Sequence, residues 1–235
     1  AYSGEFFRWY AEETVRIRGE VATAPSGANK MLIHHQPIGV VAIITPWNFP
    51  MAIPTWKIFP ALVCGNTVVF KPAEMTPKTA NTLVQIIDEA MKKVLGKDYI
   101  PGVINLVHGK GSVVGEAFLA SKEIDLISFT GSTLVGRRIN EVGGRELKRV
   151  SLELGGKNAQ IVMDDANLDL ALDAVLWGAY GTTGQRCTAT SRLILHRDIH
   201  DKFIDMLAGR VKKLKLGYGN EKGIPNMRAY SKYTA

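Results

Sequence analysis

Cysteine is scarce. The 235 residues hold two, Cys64 and Cys187. Two are too few for a disulfide framework, so the chain reads as one kept reduced, in the cytoplasm. Neither has a partner at metal-ligand spacing, and the adjacent His34 and His35 cannot share an ion on one helix face, so no metal site is expected. No apolar run reaches the ~18 residues of a spanning helix, so no membrane segment is expected. The opening AYSGEFFRWYAEE carries Glu5, Glu12 and Glu13, lacks a basic stretch leading into an apolar one, and reads as no signal peptide. Zinc-finger, RNP and basic-zipper patterns are absent too. The net charge of +7 is concentrated in residues 137–149 and 210–222, with Glu141, Glu146 and Glu221 interspersed, which suits solvated helix faces. Attraction of an anionic cofactor or substrate is use enough for it, and no nucleic-acid partner is expected.

What is present is a globular composition, 46% apolar and 22% charged. A helix-like opening at residues 5–17 leads into a polar loop with Pro25, Ser26 and Gly27. From residue 38 short β-branched runs alternate with longer helical ones. Strands are expected at 40–45, 67–71, 103–107, 125–130 and 159–163. Helices are expected at 76–95, 112–120, 134–142 and 168–177. In the first of these helices Ala80, Leu83, Val84, Ile87, Met91, Val94 and Leu95 recur at three- and four-residue steps, and Gly96 ends it. Strands alternating with helices imply parallel strands with crossovers, an α/β doubly wound sheet. Their near-continuous apolar character fits burial on both faces. No internal repeat or low-complexity segment interrupts the pattern.

In such a sheet ligands bind beyond the carboxyl ends of the strands, and there this sequence turns unusual. The first strand runs into TPWNFP (45–50), the second into KPAE (71–74), the fourth into TGS (130–132). Lys71 and Glu74 suit ribose hydroxyls. Gly131 and Ser132 open a helix whose free N–H groups suit a pyrophosphate; Ser132 as a plain N-cap is the alternative, since the glycines here, Gly131 and Gly136, make no GxGxxG. Two prolines stiffen TPWNFP around Asn48, whose amide suits an oxyanion. In VSLELGGK (150–157), Glu153 between apolar residues reads either as a general base or as a solvent-facing strand residue. Cys187 lies in GTTGQRCTATSR (181–192), a polar run between apolar segments. It reads as a nucleophile favoured by nearby N–H groups and Arg186, or as a buried structural cysteine.

TPWNFP, KPAE, FTGS, LELGGK and GQRC in this order resemble the aldehyde dehydrogenase superfamily, over about residues 5–220. The resemblance implies the aldehyde dehydrogenase fold: a Rossmann-like parallel sheet with helices on both faces, plus an incomplete α/β catalytic domain. Residues 1–33 would be the remnant of an N-terminal segment, 34–153 the dinucleotide-binding domain and 154–235 the first part of the catalytic domain. It also implies oxidation of an aldehyde to a carboxylic acid with NAD or NADP. Cys187 would attack the carbonyl, Asn48 and the Cys187 N–H would hold the oxyanion, and Glu153 would activate the water that hydrolyses the thioester. Lys57 would support a proton relay near Glu153. Lys71 and Glu74 would bind the adenosine ribose and Gly131 and Ser132 the pyrophosphate, with Thr45, Pro46, Trp47 and Leu154 also on the cofactor side. A carboxylate at Glu74 repels a 2′-phosphate, which favours NAD.

The resemblance places Phe49, Ile53, Trp56, Arg186 and Thr188 around the substrate. AIPTWKIFPAL and GQRCTATSR look most like the 2,5-dioxopentanoate (α-ketoglutaric semialdehyde) dehydrogenases. Succinate-semialdehyde and glyceraldehyde enzymes are the alternatives, and a nucleotide-binding piece without turnover is another. Arg186 would meet an acidic semialdehyde, or else is exposed or tunes the thiolate. Members of the family are much longer, and residues 224–235 depart from its pattern. The parent is expected to be a homodimer or homotetramer.

Overall fold

The computed structural model describes residues 2–215 and 217. The chain divides into two compact units, Ala1–Leu154 and Gly155–Ala235. Residues 224–235, and all of the second basic stretch past 215 save Gly217, lie outside the described residues.

The first unit opens with α1 (Tyr2–Glu13) and a hairpin, β1 (Glu20–Thr23) and β2 (Lys30–Ile33). It continues with β3 (Val40–Ile44), α2 (Ala52–Val63), β4 (Thr67–Lys71), α3 (Pro77–Leu95), β5 (Ile104–Leu106), α4 (Glu116–Ala120), β6 (Leu126–Gly131), α5 (Thr133–Arg145) and β7 (Arg149–Leu154). Strands β3 to β7 form one parallel sheet in the order β5-β4-β3-β6-β7. The chain builds outward from β3 in one direction, then returns to add β6 and β7 on the other side. The order therefore reverses between β3 and β6, which is where a doubly wound sheet opens a crevice.

Side-chain alternation divides β3 between two cores. Val41 and Ile43 join Val68, Phe70, Ile58, Leu83 and Ile87 under α2 and α3. Ala42 joins Ile127, Phe129, Phe118, Ile139 and Val142 under α4 and α5. Burial on both faces explains why these strands read as continuous apolar runs. Two polar side chains tie down the start of β3. The Asn66 side-chain oxygen accepts from the N–H groups of Ile38 and Gly39 at 2.7 and 3.0 Å, and Asp125 accepts from that of Val40 at 2.8 Å. Gly39, at φ +125°, is required there, because a Cβ would stand 2.1 Å from the Asp125 carboxylate.

The helix expected at 112–120 is regular only over Glu116–Ala120, and a strand at Thr190–Leu195 and a helix at His200–Val211 were not anticipated; two further departures lie in the first unit. The polar loop around Pro25 is the turn of the β1–β2 hairpin, whose strand residues are all exposed and so carry no alternation to read. Helix α2 follows TPWNFP although it contains Pro54 and Pro60. Pro54 falls in the first turn, where its missing N–H is no loss, and burial of Ile53, Thr55, Lys57 and Ile58 outweighs the break at Pro60. Phe6 and Phe7 of α1 meet Trp56 and Phe59 of α2 edge-on, at 5.5 and 5.2 Å between ring centres.

The second unit is smaller. β8 (Asn158–Val162) pairs in parallel with β9 (Thr190–Leu195), joined by α6 (Leu168–Tyr180) and followed by α7 (His200–Val211). Val162, Leu172, Val175, Leu176, Ile199 and Phe203 form its core. Among the described residues of the whole chain, no helix is long and apolar enough to cross a membrane.

Candidate active site

In the first unit the expected cofactor residues gather at the carboxyl ends of the strands. Thr45 follows β3 and Thr130 lies near the end of β6, one step beyond the paired Ile44 and Phe129. Both are buried, at 4% and 7% exposure, and neither hydroxyl has a hydrogen-bond partner among the described residues. Two orphaned hydroxyls at the reversal point suit a polar ligand laid across the strand ends, since buried hydroxyls otherwise find partners. Thr130 was not singled out in the sequence, although it sits inside FTGS; only its burial without a partner distinguishes it.

Lys71 ends β4 and is buried, its Nζ donating to the Pro72 carbonyl at 2.8 Å. Burial lowers its pKa, against the pull of Glu74. Glu74 is exposed, with one oxygen accepting from the Gly111 N–H at 3.1 Å. Ser132 caps α5, its hydroxyl accepting from the Val135 N–H at 3.3 Å. The N-cap reading therefore holds; the cap takes the Val135 N–H and leaves the other N–H groups at the start of a 13-residue helix to an anion. Gly131 is tight against the Phe129 ring, and Gly136 against Leu154, where a Cβ would lie 2.4 Å from each. The residues present thus fit a dinucleotide: hydroxyls, a cation, a carboxylate and a helix N-terminus lie along one edge of the sheet.

Pro46, Trp47, Asn48 and Phe49 are half-buried in the loop between β3 and α2. The Phe49 carbonyl accepts from the Ile53 N–H at 3.1 Å, joining loop to helix. Ile53, expected beside a substrate, is buried within the unit at 1% exposure. Trp56 and Lys57 line a cavity of about 440 Å³ together with Cys64, Ser128, Ser151 and Glu153. Lys57 is 7% exposed, and its Nζ donates to the Ser128 hydroxyl at 2.9 Å. Burial pushes its pKa down to about 8, with the Glu153 carboxylate pulling the other way. The sequence had suggested the Lys57–Glu153 pairing but not Ser128, a strand residue with no motif of its own. Glu153 itself is exposed near the end of β7, opposite Thr130.

In the second unit Cys187 and Thr188 are exposed, at the centre of a turn closed by the Ala189 N–H donating to the Arg186 carbonyl at 3.1 Å. This excludes the buried-cysteine reading within the unit. Two β-branched residues just upstream, Thr182 and Thr183, take φ of +53° and +55°. That is a costly conformation, which persists only where neighbours hold it. Arg186 does not extend into solvent. Its guanidinium donates to the carbonyls of Trp177 and Gly178 at 2.6 and 3.1 Å and lies over the Trp177 ring at 4.8 Å. The Asn158 Nδ2 donates to the carbonyls of Cys187 and Ala189 at 2.6 and 3.1 Å. Beyond the other end of the strands Asp164, His196 and Asp198 bring one potential ligand atom each to within 4.8 Å of one another, both aspartates being exposed.

Residues 1–225 match the aldehyde dehydrogenase family. The chain belongs to that family. It is 44% identical to the 2,5-dioxopentanoate dehydrogenase of Saccharolobus solfataricus over 222 residues, 93% of this chain and 45% of that protein. Betaine aldehyde dehydrogenase from Staphylococcus aureus, solved in complex with NAD+, superposes with a TM-score of 0.88 at 39% identity, over 94% of this chain and 43% of that one. An NADP-dependent enzyme of E. coli superposes with a TM-score of 0.89 at 38% identity, over 95% and 45%. The chain thus spans about half the length of the relatives it matches.

Proposed function

We propose that this chain carries the nucleotide-binding unit and the nucleophile of an NAD(P)-dependent aldehyde dehydrogenase acting on an acidic semialdehyde, 2,5-dioxopentanoate being the first candidate. The observation that supports it most is the pair of buried, partnerless hydroxyls, Thr45 and Thr130, at the reversal point of a sheet in a chain of this family. The candidate substrate rests on the likeness to the Saccharolobus solfataricus protein, with succinic semialdehyde next.

In this reading Lys71 and Glu74 hold the adenosine ribose, and the amino end of α5, from Gly131 and Ser132, holds the pyrophosphate. Thr45 and Trp47 line the nicotinamide side, and Pro46 and Leu154 also contact the cofactor. When bound, the nicotinamide supplies a hydride acceptor. Glu74 favours NAD over NADP by repelling a 2′-phosphate.

The Cys187 thiolate adds to the aldehyde carbon to give a thiohemiacetal whose oxyanion is held by the Asn48 amide and the Cys187 N–H. Loss of hydride leaves a thioester. Glu153 takes a proton from the water that attacks the thioester carbon, and the carboxylic acid leaves as the thiol is restored. Lys57, held by Ser128 with its pKa near 8, is suited to pass that proton on at neutral pH. Phe49, Trp56 and Thr188 would contact substrate. Two exposed, free cysteines suit the cytoplasm, and the parent is proposed to be a homodimer or homotetramer.

The test is reduced-nicotinamide formation by the purified chain with 2,5-dioxopentanoate, succinic semialdehyde and glyceraldehyde, beside Cys187→Ala. Turnover that vanishes in the variant and is highest with 2,5-dioxopentanoate is expected. A folded chain that binds NAD yet turns over none of the three would instead leave a nucleotide-binding piece.

A further inference from the structure

Asn158 opens β8, two residues beyond Gly155–Gly156, and no expectation from the sequence attached to it. In the structure its amide nitrogen meets two backbone carbonyls of one turn, those of Cys187 and Ala189, at 2.6 and 3.1 Å. A carbonyl only accepts, so both contacts require the NH2 face of the amide, and both of its hydrogens are used. The pairing of β8 with β9 slips between Asn158 and Ala159: Asn158 pairs with Thr190 but Ala159 with Arg192, leaving Ser191 as an extra residue. Such bulges re-aim the side chains beside them.

We propose that Asn158 is a positioning residue for Cys187. It fixes the peptide plane that follows the cysteine, and so the direction in which the thiol and the turn are presented. The residue that precedes the cysteine is held from the other side by its side chain. Arg186 anchors to two carbonyls at the end of α6 and stacks on Trp177. The nucleophile's turn is thereby strung between the first residue of a strand and the last turn of a helix. Immediately upstream lie Thr182 and Thr183, whose strained backbone needs such restraint. Asn158 acts only through the main chain of the Cys187 turn, without touching substrate or cofactor. The inference rests on Cys187 being the nucleophile, but its physical content, a turn held by one amide, does not depend on turnover.

The experiment compares the full chain with Asn158→Ala, Asn158→Asp and Asn158→Ser. Asp keeps the shape but replaces both donors with an acceptor; Ser retains a single donor. Hydrogen exchange of the Ala189 amide, which closes the turn, is expected to quicken about tenfold or more in Ala and Asp and less in Ser, with α6 protection unchanged. Where the chain turns over, kcat should fall about tenfold in Ala and Asp. The aldehyde KM should stay within about twofold, and the pH midpoint should not move. Ala189 exchange within about twofold of the parent in both Ala and Asp would overturn the proposal, as would a raised KM with kcat kept. Should Asn158→Ala lose α6 protection altogether, the Asp and Ser pair decides by the same measures. An inactive parent chain whose turn still loosens in Asp would sink the proposed enzymatic role and leave the positioning intact.

Discussion

The two units place their candidate functional residues at opposite ends of their strands. In the first, Thr45, Lys71, Thr130 and Glu153 lie at or just past carboxyl ends of a five-stranded parallel sheet. In the second, Asn158 and Cys187 lie at the amino ends of β8 and β9. The difference teaches how each is held. Strand register delivers the first set, because a ladder of backbone hydrogen bonds fixes every strand end relative to its neighbours. The turn of Cys187 stands before β9 enters the ladder, so side chains must fix it: one amide from Asn158, the first residue of β8, and one guanidinium from Arg186.

The largest effect expected from this division is on turnover. Cys187→Ala should lower it about a thousandfold or more, while NAD affinity, read by quenching of protein fluorescence, stays within about twofold. Loss of both together would break the division of labour between the units.

Core truncation sharpens it in stability. Phe70 and Phe203 are both 0% exposed, one in each unit. Phe70→Ala and Phe203→Ala should each cost about 3–5 kcal/mol. Amide exchange should place each loss in its own unit: β3 and β4 for Phe70, α6 and α7 for Phe203. Exchange that rises in both units for either variant would show that they open as one.

A third expectation concerns Lys57. Its folded pKa of about 8 lies below the ordinary 10.5. Between those values the unfolded chain binds the proton and the folded chain does not, so stability rises with pH across that window. The penalty of the buried ammonium, about 3 kcal/mol, applies in full below pH 8 and is relieved towards 10.5. The stability advantage of Lys57→Met over the parent, from urea unfolding, should therefore shrink by about that amount between pH 8 and 10.5. A difference that stays constant with pH would mean the ammonium is solvated.

The smallest effect belongs to Ser132→Ala. Loss of the α5 cap should cost about 1 kcal/mol, and it should weaken NAD binding only modestly if backbone N–H groups carry the pyrophosphate.

Much of the first unit was legible in the chain. VVAII, TVVFK and LISFTG are strands because β-branched residues suit a sheet buried on both faces, and the Ala80–Leu83–Ile87 spacing is a helix face. Helix α2 was not legible, because its prolines are local signals against a helix that tertiary burial overrules. The β1–β2 hairpin left no trace because every residue of its two strands is exposed. Cys187, Asn48 and Glu153 stood out through their motifs. Ser128 and Asn158 did not, because a hydroxyl on a strand or an amide at its start means nothing until the fold supplies the partner.

The sequence by itself determined the alternation of strand and helix, the family, and the residue types available for chemistry. Those are properties of local periodicity and of short ordered motifs. Only the tertiary structure decided that Lys57 is buried against Ser128, that Arg186 turns back onto the end of α6, and that one asparagine holds the cysteine's turn. These are contacts between residues 71, 9 and 29 positions apart. Hydrogen-bond partners at such separations are set by how the elements pack, which the order of residues along the chain does not display.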